Sequence, residues 1–105
     1  MRLQLKNWTI IDNPTSAQVE AALQTLDEGN SFAVLEQKRS KFMQARYLPG
    51  SGFVLEYKDD SPDGHYYCAQ THLGLADVIK AFQFYADGRI DWKREFQWLR
   101  YTAGS

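Results

Sequence analysis

The sequence predicts an α+β fold: an antiparallel sheet of four to five strands with two helices packed on one face, in the order β-α-β-β-β-β-α. Three observations carry this prediction. Two segments repeat apolar residues at helical spacing, four short runs rich in aromatic and β-branched residues lie between them, and explicit turn clusters separate those runs. The length of 105 residues is usual for one domain, so residues 1–105 are expected to share a single core.

Residues 2–11 open the chain as a strand, with Leu3, Leu5, Trp8, Ile10 and Ile11 in partial alternation, and Asp12-Asn13-Pro14 breaks it. Thr15 then begins a capping box closed by Gln18. Val19, Ala22, Leu23 and Leu26 follow at the spacing of one helix face, and Gly29-Asn30 is the expected stop. Strand-like runs come next at 31–37, 42–48, 53–57 and 65–70. Lys38-Arg39-Ser40-Lys41 joins the first two and Pro49-Gly50-Ser51-Gly52 the second pair. Asp59-Asp60-Ser61-Pro62-Asp63-Gly64 joins the third pair, with an Asp-Gly ending that favours a tight reversal. Three consecutive hairpins imply an antiparallel meander. A second helix carries Leu75, Val78, Ile79, Phe82 and Tyr85 on one face and closes at Asp87-Gly88. The tail from residue 89 onward receives no element.

Composition narrows the function classes. The chain is 44% hydrophobic and 24% charged, which is ordinary for a folded globular protein. Its net charge of −1 lacks the basic excess with which nucleic-acid binders neutralise phosphates, so no nucleic-acid partner is expected. Residues 1–50 hold six Lys/Arg against five Asp/Glu and residues 51–105 hold six against eight, so the second half is mildly acidic. The single cysteine, Cys68, forms no internal disulfide and fits a reducing compartment. No apolar run approaches the roughly 20 residues that span a bilayer, and a cytoplasmic protein without a membrane partner is expected.

Chemistry-bearing patterns are sparse. His65, Cys68 and His72 are spaced suggestively, but one Cys and two His complete neither a structural nor a catalytic zinc site. Alternation along 65–70 puts His65 and Tyr67 on one face and Tyr66 and Cys68 on the other, so Cys68 reads as a small buried hydrophobe. A Cys68/His72 nucleophile pair lacks an orienting acid and an oxyanion-hole pattern. Glu56, Asp59, Asp60 and Asp63 cluster around the Ser61-Pro62 turn without the order of a calcium loop. They read as solvated turn residues or as an acidic patch for a basic partner. The glycine-rich turn at 49–52 carries no lysine at phosphate-loop spacing. No enzyme activity, metal or cofactor is expected.

Aromatic residues crowd the last third: Phe82, Phe84, Tyr85, Trp92, Phe96, Trp98 and Tyr101. Phe82 and Tyr85 match the apolar helix face and read as core. Phe84 falls off that stripe, and packing against the tail and exposure in a contact surface both remain open. Trp92 and Trp98 favour the core over contact, because an exposed pair invites aggregation.

The order Phe-Val-Leu-Glu-Tyr-Lys-Asp (53–59), Gly-His-Tyr-Tyr (64–67), Leu-Ala-Asp-Val-Ile-Lys-Ala-Phe-Gln-Phe-Tyr-Ala-Asp-Gly (75–88), Trp92 and Phe96-Gln97-Trp98 resembles the C-terminal half of small immunity proteins of bacterial polymorphic toxin systems. The resemblance covers residues 53–101. It implies a cytoplasmic bacterial protein that binds and neutralises a cognate protein toxin in interbacterial competition, non-covalently and without catalysis. Such an inhibitor needs a rigid surface with aromatic anchors and a charged rim. Candidate partner-binding residues are Glu56, Tyr57, Asp59, Asp60, Asp63, Phe84, Trp92 and Trp98. The competing readings are an adaptor or chaperone for a secreted effector, and a small-molecule-binding or enzymatic domain using His65, Cys68 and His72.

Overall fold

Strict alternation along the strands sorts the side chains onto two faces, and that sorting organises the molecule. The computed structural model describes residues 1–70 and 72–101. Among them seven strands form one antiparallel sheet: β1 (Arg2–Leu5), β2 (Ile10–Asp12), β3 (Phe32–Lys38), β4 (Lys41–Leu48), β5 (Gly52–Asp59), β6 (His65–Cys68) and β7 (Trp98–Arg100). Their spatial order is β2-β1-β3-β4-β5-β6-β7, so β2 and β7 are the edges. The helices are α1 (Ser16–Leu23), α2 (Leu75–Ala86) and the short α3 (Asp91–Glu95).

Register lines up one apolar row, Leu3, Leu35, Met43, Tyr57 and Tyr66, across five strands. A second row, Leu5, Ala33, Ala45 and Leu55, runs beside it. Val19, Ala22 and Leu23 of α1, Val78, Ala81, Phe82 and Tyr85 of α2, and Trp92 of α3 close over these rows in one buried cluster. Fully burying each large side chain contributes about 1.5–3 kcal/mol. The intervening row, Gln4, Val34, Gln44, Glu56, Tyr67 and Leu99, faces the other way. No described helix covers that second face.

The local signals act as expected at several points. The Thr15 Oγ accepts from the Gln18 N–H at 3.1 Å and the Gln18 side chain accepts from the Thr15 N–H at 2.9 Å, completing the capping box of α1. At the end of α2, Gly88 takes φ +74. Its N–H donates to the Tyr85 carbonyl at 3.1 Å and the Arg89 N–H to that of Phe84 at 2.9 Å, a Schellman closure. The three hairpin connections at 38–41, 49–52 and 59–64 all lie between antiparallel neighbours.

Four expectations are corrected. Among the described residues the sheet has seven strands rather than four to five, and there are three helices rather than two. The expected first strand, 2–11, is a hairpin: Trp8 adopts φ +72 and turns the chain, so Ile10–Asp12 pairs back on β1. The first helix ends at Leu23 instead of running to Gly29-Asn30. Beyond it, single-turn bonds from the N–H groups of Thr25 and Leu26 to the carbonyls of Ala22 and Leu23 replace the helical ladder. Lastly, the unassigned tail forms α3 and then β7, which pairs with β6 through Tyr66↔Arg100, Tyr67↔Leu99 and Cys68↔Trp98.

Candidate partner-binding surface

The face without helices carries a connected polar and aromatic group at its β4–β7 end. Glu56 stands on β5 with Tyr67 opposite it on β6, and Lys58 faces His65 two pairs further along, on the same face. The chain after β7 brings Tyr101 over this row, its N–H donating to the His65 carbonyl at 2.8 Å. The Tyr101 hydroxyl donates to Glu56 Oε1 at 2.8 Å, and His65 Nε2 lies 3.4 Å from Glu56 Oε2. The Tyr101 ring sits 4.5 Å from the His65 ring and 4.8 Å from that of Tyr67, with Phe42 edge-on to His65 at 6.3 Å. Burial first, and the Glu56 carboxylate second, push the Tyr101 hydroxyl above its ordinary pKa, so Tyr101 stays a donor at neutral pH.

Tyr101 remains 44% exposed and Leu99 42%. Phe42, His65 and Tyr67 are half-buried. Rings held by cross-strand contacts and one charge-assisted hydrogen bond form a pre-ordered surface whose outer side is open to solvent. This arrangement supplies aromatic anchors and one anchored carboxylate at low ordering cost.

The acidic turn at one end of this surface is largely satisfied internally. Asp59 Oδ1 accepts from the Ser61 hydroxyl at 2.7 Å and from the Ser61 N–H at 3.1 Å, bonds that hold the Asp59 carboxyl below its usual pKa. Asp60, at φ +79, pairs with Lys38 at 2.6 Å and accepts from the Ser40 hydroxyl, and these contacts lower its pKa too. Lys58 Nζ donates to the Ser61 carbonyl at 2.7 Å. Asp63 is exposed. Gly64 lies buried against Asp59 and Ser61, and an added Cβ there collides with both side chains. The turn is a fixed loop in which Lys38 pairs with Asp60, Ser61 holds Asp59, and Asp63 stays exposed.

On the helix side of the sheet, Tyr57, Trp92 and Trp98 belong to one aromatic group. Tyr57 stacks on Tyr66 at 4.8 Å and meets Trp92 and Trp98 edge-on at 4.7 Å each. Trp92 is only 5% exposed and Tyr57 7%, so neither presents a surface in the free protein. Trp98 is half-buried beside Trp92 and Phe96. Phe84 is half-buried on α2, with the Arg89 guanidinium 4.6 Å and the Lys80 ammonium 5.8 Å from its ring centre. Of the eight sequence-derived candidates, Glu56 alone joins the open aromatic group; Asp60 and Asp63 lie in the adjoining turn, and Asp59 alternates onto the helix side with Tyr57. The other four lie elsewhere.

Among protein-family models, curated proteins and solved structures, nothing matches the chain.

His65, Cys68 and His72 do not converge. His65 faces the open side, whereas Cys68 is 3% exposed on the helix side, where burial raises its thiol pKa. His72 stands at φ +66 in the loop before α2, its Nδ1 2.8 Å from the Ser51 carbonyl. Among the described residues no group of three or more His, Cys, Asp or Glu has metal-holding geometry, and no helix is long and apolar enough to cross a membrane.

Phe42, Tyr67 and Tyr101 were missed as candidates. Two-residue alternation through Glu56, and the pairing of Glu56 with Tyr67, is the signal that places Tyr67 beside the carboxylate. Tyr101 had no such signal, because its position depends on β7.

Proposed function

We propose that this chain is an immunity protein that neutralises a cognate protein toxin by non-covalent, non-catalytic binding, and that the open sheet face around Glu56, Tyr67 and Tyr101 is the surface that meets the toxin. The observation that carries the proposal is the one-sided sheet: three helices cover one face, while the other presents fixed aromatic rings around a carboxylate. An inhibitor of this kind acts by occlusion. It places ordered rings and an anchored charge against a partner and keeps water out at the rim. The resemblance over residues 53–101 supplies the partner class.

The test is co-expression, in a sensitive host, of the chain with each toxin-like C-terminal domain encoded beside it. Growth restored by the wild-type chain, and lost on Glu56→Lys with Tyr67→Ala in an intact fold, supports the reading. Survival that is indifferent to the chain for every such domain contradicts it. Restored growth that the double variant preserves leaves neutralisation standing but moves it off this face.

A further inference from the structure

The segment after Trp98 is held to the sheet on one side only. β7 is an edge strand of three residues, and among the described residues β6 is its sole strand neighbour. Its two ends differ in what they bury. Trp98 turns inward, with its ring centre 4.7 Å from that of Tyr57 and 5.7 Å from that of Trp92. Leu99, Arg100 and Tyr101 are all exposed. A stretch that buries little apolar surface and bonds through solvent-accessible groups opens at low free energy.

Opposing effects act on residues 99–101. The Tyr101 N–H donates to the His65 carbonyl at 2.8 Å and the Tyr101 hydroxyl to Glu56 Oε1 at 2.8 Å, and both bonds close the segment over the open face. The second is charge-assisted, the stronger class of hydrogen bond. Against them stands His65, whose ring lies 4.5 Å from that of Tyr101. Its Nε2 is shut off from water and has no hydrogen bond of good geometry, with Glu56 Oε2 3.4 Å away. An enclosed polar atom without a partner costs free energy, and lifting the Tyr101 ring relieves that cost by admitting water.

We infer that residues 99–101 form a latch that swings open about Trp98 while the sheet stays folded, and that the bond from the Tyr101 hydroxyl to Glu56 is the catch that keeps it closed. Trp98 is the fixed end because its ring packs among Tyr57, Trp92 and Phe96. The bond just before it, from the Ala69 N–H to the Gln97 carbonyl at 2.8 Å, lies on the anchored side. Opening uncovers Glu56, His65 and Tyr67, and closing reassembles the ring group. Glu56 is thus a positioning residue for Tyr101. Only the consequence of the latch rests on the proposed function: the closed form carries the toxin-binding surface, and the open fraction subtracts from affinity.

Amide hydrogen exchange of the free full chain, followed residue by residue by NMR where reclosing outpaces exchange, tests the latch in the wild type, Tyr101→Phe, Glu56→Ala and the double variant. Position 101 is exposed and Phe keeps the ring, so Tyr101→Phe is expected to melt with the wild type. In the wild type the amide of residue 101 is expected to exchange at least about a hundredfold faster than those of Leu35 and Leu55 in the central strands, relative to intrinsic rates. Each single substitution is expected to speed it by a further factor of about 10, the low end for a hydrogen bond to a charged group, with the Ala69 amide unchanged. Both remove the same bond, so the double variant is expected to exchange no faster than Glu56→Ala. Exchange at residue 101 only together with the central strands, an unchanged rate in Tyr101→Phe, an equal rise at Ala69, or additive effects of the two substitutions overturns the inference. No toxin enters the measurement, so a failed latch leaves the immunity reading standing, and a failed immunity reading leaves the latch.

Discussion

The two faces of the sheet are built from the same strands and one alternation, yet they differ in what their side chains do. On the helix side, Leu3, Leu35, Met43 and Leu55 are fully buried and contribute by exclusion from water. On the open side, Phe42, Glu56, His65, Tyr67 and Tyr101 are ordered mainly by each other and keep solvent access. The first face decides that the chain folds, and the second is available for recognition. Substitutions on opposite sides of one strand should therefore separate stability from binding.

The largest effect is expected where the comparison is starkest. Phe82, 0% exposed at the centre of α2, fills the core that the inward rows leave. Phe82→Ala is expected to lower the unfolding free energy by about 3–5 kcal/mol in urea denaturation. Tyr67→Ala on the open face is expected to lower it by less than about 1 kcal/mol. Comparable losses would break the distinction between the faces.

A second test concerns the backbone that holds β5 in place. Gly52 adopts φ +89, and a Cβ there would stand 2.6 Å from the Leu73 carbonyl oxygen. Phe53 and Leu73 bond at this point through 3.0 and 3.3 Å N–H···O contacts, tying the loop before α2 to the sheet. Gly52→Ala is expected to destabilise by about 2–3 kcal/mol, read as a lower midpoint at unchanged denaturant slope.

Asn30 gives a smaller, more local effect. It is 8% exposed, and its side chain bridges the Asn7 N–H and the Thr25 hydroxyl at 3.1 and 3.3 Å. Asn30→Ala strands those partners, with an expected loss of about 1–2 kcal/mol and faster amide exchange at the β1–β2 turn.

These elements also show what the sequence made legible. The capping box of α1, the Gly88 closure of α2, the three hairpins of the meander and the inward side of Cys68 follow from local patterns, because capping, positive φ and two-residue alternation are short-range effects. What escaped depended on contacts between distant segments. Trp8 in a left-handed conformation has no sequence signal, so the first hairpin read as one strand. The strand at 98–100 forms only because β6 offers it an edge, and without β7 the placement of Tyr101 over Glu56 cannot be read. The acidic turn read as solvated residues or as a patch for a basic partner, and the ion pair of Asp60 with Lys38 was not legible because it joins residues from separate hairpins.

The smallest effect at neutral pH distinguishes buried rings by their hydroxyls. Burial pushes the Tyr57 and Tyr85 hydroxyls up to about 12, and that of Tyr85 has no hydrogen bond of good geometry, although the nearby Gln37 side chain opposes its shift. A folded pKa raised above the unfolded value of 10.0 means that the stabilising preference for the neutral phenol is complete below pH 10 and is lost as pH rises towards 12. Tyr85→Phe is expected to leave stability at pH 7 unchanged or slightly higher and to flatten its decline between pH 10 and 12, as followed by thermal melts. A steeper alkaline decline in the variant would contradict the burial of that hydroxyl.

The division between the faces is tested most directly by the affinity of Tyr67→Ala for the toxin domain that the proposed function requires the wild-type chain to bind, measured by calorimetry beside its melting temperature. The account predicts affinity reduced by about 30-fold or more at an almost unchanged melting temperature, as for an interface anchor outside the core. Wild-type affinity in a folded Tyr67→Ala chain would contradict it.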